Sequence, residues 1–137
     1  MFANIKFISV FRIVCYICAI YFLIMGLALM LFPAFISRIA GKQDPIIRGM
    51  LRGAGGSIIP YAILYIIVAR SPFNKRWGVI VIAVANIAAI VLDFLSVFLG
   101  EYQLSFAMID VPIEVISLLL MVLFLIQLSK NKQIFVL

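Results

Sequence analysis

Apolar positions along this chain come in long unbroken runs, without the strict alternation of a strand or the single stripe of a surface helix. About 20 apolar residues, wound as a helix, cross a hydrocarbon core ~30 Å thick. Four runs reach that length, at about 7–32, 50–69, 77–99 and 106–128. The first stops at Pro33, and short polar, basic or glycine-containing segments separate the rest. The segment from Pro33 to Gly49 is basic and partly amphipathic, a composition compatible with a short helix lying along the interface. The pattern predicts an all-α fold: a polytopic integral membrane four-helix bundle, forming a single transmembrane domain over residues 1–137.

Composition leaves little else open. Hydrophobic residues make up 67% of the chain and charged residues 12%, against about 45–50% and about 25% in a soluble domain. Mean hydropathy is +1.31. A chain of 137 residues cannot hide that much apolar surface by folding on itself in water. A soluble globule, a disordered tail and a secreted disulfide scaffold are excluded. Arg12 lies near enough to the start of the first span for its side chain to snorkel to the interface. Trp77 opens the third span, where an indole suits the headgroup layer. The first span is longer than the apolar part of a signal peptide and no small-residue cleavage site follows it, so it is expected to remain as a span.

Charge changes the picture in one respect. The 11 Lys and Arg residues outnumber 5 Asp and Glu, for a net charge of +6. They sit in short segments beside the spans, which is an insertion bias and argues against nucleic acid as a partner. With four spans the N-terminus, middle loop and C-terminus share one side, which holds Lys6, Arg12, Arg70, Lys75, Arg76, Lys130 and Lys132. The opposite side holds Arg38, Lys42, Arg48 and Arg52. Both termini are therefore expected in the cytoplasm, in a bacterial inner membrane.

Helices in lipid associate through small residues and polar contacts. Gly53, Gly55 and Gly56 open the second span, Ala85 and Ala89 are four apart in the third, and Gly26 and Ala28 lie in the first. These are candidate packing positions, and the alternative is a lipid or cofactor lying against the glycines. Pro60 and Pro112 fall inside spans, where each removes a backbone donor.

The ionisable residues within the spans carry the most chemistry, because a charge in lipid faces the bundle and finds a partner. Arg48 and Arg52 are four apart, as are Asp110 and Glu114. Asp93 lies ~9 Å below the end of its span at 1.5 Å per residue, on the face that carries Ala85, Asn86 and Ala89. All five fall at a similar depth. Two readings stay open. One is an ion-pair lock, with Arg52 bound to Asp93 or Glu114, which suits the bidentate guanidinium. The other is a polar cavity that binds a small ligand or passes a proton, with Glu114, the deeper acid on its helix, as the carrier.

Much other chemistry lacks its residues. Without histidine the chain lacks the commonest general base and metal ligand. Cys15 and Cys18 form Cys-x-x-Cys inside an apolar run, with no second pair to complete a zinc site. The glycines of the second span lack the Lys-Ser/Thr of a phosphate loop. No metal or cofactor is expected. Tyr61 and Tyr65, four apart, are packing residues or the wall of a lipid or quinone groove.

Four spans, a proline ending the first, Arg52-Gly53-Ala54-Gly55-Gly56 opening the second, a carboxylate near the end of the third and Glu114 in the fourth form a familiar layout. From about Gly26 to Gln127 the chain resembles small uncharacterised bacterial four-span membrane proteins, DoxX-like in layout. It departs from them in carrying Asp93 where an arginine is expected. The resemblance implies a fold and no settled activity. The residues favour a non-catalytic accessory or scaffolding subunit that packs against lipid, other membrane subunits or a second copy. The alternative is a small-ligand or proton-coupled binding or transport protein using the charged cluster.

Overall fold

The computed structural model describes residues 5–41, 44–101 and 103–132. Lys42, counted among the basic residues of the first loop, lies outside the described residues. Every regular element of the described residues is a helix: α1 (Ile5–Leu31), α2 (Pro33–Ile39), α3 (Pro45–Arg70), α4 (Arg76–Phe98) and α5 (Leu104–Lys132). Four of these, all but α2, are long and apolar enough to cross a membrane. The chain is an integral membrane protein with an all-α bundle fold.

Local chemistry sets the breaks. Phe32 precedes a proline, which disfavours the helical conformation, and it leaves the helix at φ −121°, ψ 42°. Pro33 then starts α2. The Asp44 carboxylate caps α3 by accepting from the Ile46 N–H at 2.7 Å, with Pro45 in the first helical position. The segment from Pro33 to Gly49 is thus divided: a two-turn α2, and a first turn of α3 that begins five residues before the expected start near Met50. Gly100, at φ +71°, ends α4. Its N–H binds the Val97 carbonyl, and the Glu101 N–H binds the Ser96 carbonyl, the paired closure that favours glycine.

The helices run round the bundle in the order α1, α3, α4, α5, with α1–α3 and α4–α5 the two closest pairs. Lipid gives helices no hydrophobic reason to associate, so the closest crossings are made by missing side chains. A Cβ on Gly55 would stand 2.5 Å from the Gly26 carbonyl oxygen, so α1 and α3 meet backbone to backbone there. A Cβ on Gly78 would stand 2.7 Å from Val68 Cγ2, so the α4 backbone there packs directly on α3 side chains.

The half of the bundle near the termini is filled. Phe11, Cys15 and Cys18 of α1, Tyr65 and Val68 of α3, Val79 and Ile82 of α4, and Met121 and Phe124 of α5 are buried together. The Phe11 and Phe124 rings lie 4.5 Å apart. The thiols of Cys15 and Cys18 are free and buried in this layer. Large apolar side chains such as Ile24, Ile63, Leu92 and Ile116 point outward, as a lipid-facing surface requires.

Candidate functional site

Toward the α2 end the filling stops. A cavity of about 340 Å³ lies there between the four spans, within the roughly 300–1,000 Å³ typical of ligand pockets. Phe22, Met25 and Leu29 line it from α1, and Ser57, Ile58 and Tyr61 from α3. Ala85, Asn86 and Ala89 line it from α4, and Asp110 and Glu114 from α5. Each set follows the three-to-four-residue spacing of one helix face. On α5 the inward stripe runs Asp110, Glu114, Ser117, Met121, Phe124, so the stripe that builds the core at one end carries acids at the other. On α4 two alanines replace the bulk that Val79 and Ile82 supply lower down, and the space they leave is the cavity.

A hydrogen-bonded floor separates cavity from core. Asn86 Nδ2 donates to Ser117 Oγ at 2.9 Å and to Tyr65 Oη at 3.2 Å, and the Tyr65 and Ser117 hydroxyls are hydrogen-bonded to each other at 2.5 Å. All three residues are buried, so α3, α4 and α5 are joined by one satisfied polar network. Above it, Tyr61 Oη donates to the Ile82 carbonyl at 3.0 Å. The Phe22 and Tyr61 rings meet edge to face at 5.1 Å and form an aromatic corner.

The acids differ from one another. Asp110 is half-buried and accepts a hydrogen bond from Tyr21 Oη, which also lies 3.1 Å from the Ile109 carbonyl; this ties α1 to α5. Asp93, half-buried on α4, lies within electrostatic reach of both Asp110 and Glu114. Glu114 is 6% exposed, and its Oε2 has no hydrogen-bond partner. A buried polar atom left without a partner is rare and costs free energy. Among the described residues, no three His, Cys, Asp or Glu side chains converge closely enough to hold a metal ion.

The expected clustering of Arg48 and Arg52 with the acids does not form. Neither is ion-paired to Asp110 or Glu114, whose charged neighbours are other acids. Arg48 turns under α2 into a small cleft of about 100 Å³ with Ala34, Ser37 and Arg38, and Arg52 is exposed. Tyr65 of α3 meets Ser117 of α5. Ser117 comes three residues after Glu114, but Tyr65 comes 13 residues, or ~20 Å, after Arg52, so the arginines lie nearer the α2 end than Glu114 does. The expected pairing of Arg52 with Glu114 is absent, and the cavity is lined by Asp110 and Glu114 without arginine.

The packing positions also separate. Gly55 faces α1, whereas Gly53 and Gly56 face open space and make no close crossing within the chain. Ala85 and Ala89 line the cavity in place of a tight helix contact. Tyr61 borders the cavity and Tyr65 belongs to its floor. Tyr21 and Ser117 were not singled out by sequence, because a hydroxyl in a span shows its partner only once the helices are placed. Comparison with family models, curated proteins and solved structures finds no match, so the resemblance to DoxX-like proteins rests on its short motif.

Proposed function

We propose that the chain is a membrane-embedded binding protein that takes the polar head of a small amphipathic molecule into the cavity, with the apolar remainder against Phe22, Met25 and Leu29. The observation that carries this reading is Glu114: a carboxylate whose Oε2 is buried without a partner in the wall of a cavity. An ionisable residue in a span points to function when no structural partner accounts for it. With both termini on the cytoplasmic side of a bacterial inner membrane, as the Lys and Arg distribution argues, the cavity lies toward the outer leaflet, where it could receive a ligand for transport. The accessory-subunit reading draws on the outward apolar faces alone, which lipid covers equally well.

Thermal unfolding of the protein in lipid nanodiscs tests the proposal. The probes are n-octylamine, n-octanol and octanoate. At least one is expected to raise Tm, since a ligand at a hundred times its Kd stabilises by about 2.7 kcal/mol. Ala89→Phe fills the cavity from α4 and is expected to abolish the response. No shift with any probe, or an unchanged response in Ala89→Phe, would contradict the reading.

A further inference from the structure

Every hydroxyl and amide hydrogen along the cavity is already used. The Ser57 hydroxyl donates to the Gly53 carbonyl, and the Tyr61 hydroxyl to the Ile82 carbonyl. The Asn86 amide donates to Tyr65 and Ser117. The Tyr21 hydroxyl, behind the wall, is directed at Asp110. The unused polar atom is an acceptor, Oε2 of Glu114, and the charged side chains facing it are also acids: Asp110 from its own helix and Asp93 from α4. From α1 and α3 the cavity receives no cation, because Arg48 and Arg52 turn elsewhere.

From this placement we infer that the cavity selects an organic cation, a protonated amine or quaternary ammonium on an apolar body. The inference rests on the cavity being a binding site, as proposed above. An anion would meet the carboxylates as like charge, and the serine, tyrosine and asparagine hydrogens along the wall are already directed elsewhere. A cation meets acceptors on the α4–α5 side. On the opposite side it meets the Phe22 and Tyr61 rings, whose faces attract positive charge. The carboxylates do not converge as metal ligands would. They present charge along a wall, which matches a bulky head better than a bare ion.

The test compares two probes of nearly equal shape, benzyltrimethylammonium and the uncharged neopentylbenzene, bound to the full chain in nanodiscs and measured by calorimetry. 3-Phenylpropionate serves as the anion. The cation is expected to bind at least about tenfold tighter than its neutral isostere, a difference of about 1.4 kcal/mol. Glu114→Gln is expected to remove most of that margin while leaving neopentylbenzene binding unchanged. If Glu114→Gln does not fold, Asp110→Asn replaces it, since it removes charge and keeps an acceptor for Tyr21. Equal binding of cation and isostere would overturn the inference and leave the cavity reading standing, as would tighter binding of the anion. Binding of none of the probes would overturn both.

Discussion

Gly55→Ala is expected to destabilise the bundle by about 1–3 kcal/mol, the range for inserting bulk into a packed interior. The added Cβ would stand 2.5 Å from the Gly26 carbonyl oxygen, 2.9 Å from Met30 Cγ and 3.0 Å from Leu29 Cβ. Met30 can swing aside. The Gly26 carbonyl is helical backbone of α1, so relief requires α1 and α3 to separate. The two neighbouring glycines make the control. Gly53→Ala and Gly56→Ala meet nothing within 4 Å and remove a flexible residue from a helix, which favours folding by roughly 0.5–1 kcal/mol. Unfolding titrations in mixed micelles should place Gly55→Ala well below the native protein and the other two at or above it. Equal effects at all three positions would contradict the α1–α3 crossing.

Phe124→Ala is expected to cost about 3–5 kcal/mol, toward the lower end because lipid weakens the transfer part of the penalty. Phe124 is buried, lies 4.5 Å from the Phe11 ring, and also meets Phe73 of the α3–α4 loop at 5.5 Å. One ring thereby joins α1, α5 and the loop at the termini end. Truncation leaves a void between helices that the hydrogen-bonded floor keeps from collapsing into the cavity. Ten residues separate Phe124 from Glu114 along α5, or ~15 Å. Stability should therefore fall while cavity binding of the probes named above persists in the folded fraction. Loss of binding with unchanged Tm would contradict the division into a packed half and an open half.

That division marks what sequence carries and what it leaves out. The spans were legible because length and apolarity alone specify a membrane helix, and Pro33 marks a break by its covalent geometry; the start of α3 at Pro45 was not legible, because its first turn lies outside the apolar run. Depth was legible too: Asp93, Asp110 and Glu114 do come together near one level, as their distance from the span ends implied. Direction around a helix was not. In lipid an apolar side chain faces outward as readily as inward, so the usual amphipathic stripe is missing and rotation cannot be read from hydrophobicity. Arg48 faces α2 and Arg52 is exposed, neither lining the cavity, and Gly55 differs from Gly53 and Gly56 only in the direction it faces. The cavity is a difference between facing stripes on four helices. Ala85 and Ala89 read as packing residues until the opposing helices prove too far away to fill the space they leave.

The most direct measurement is gentle extraction of the protein from native membranes, followed by native mass spectrometry. The account expects a monomer or homodimer that retains a small molecule, with that extra mass lost in Ala89→Phe. Recovery in fixed stoichiometry with larger membrane proteins, with no bound small molecule, would contradict it and make the chain a subunit whose function belongs to the complex.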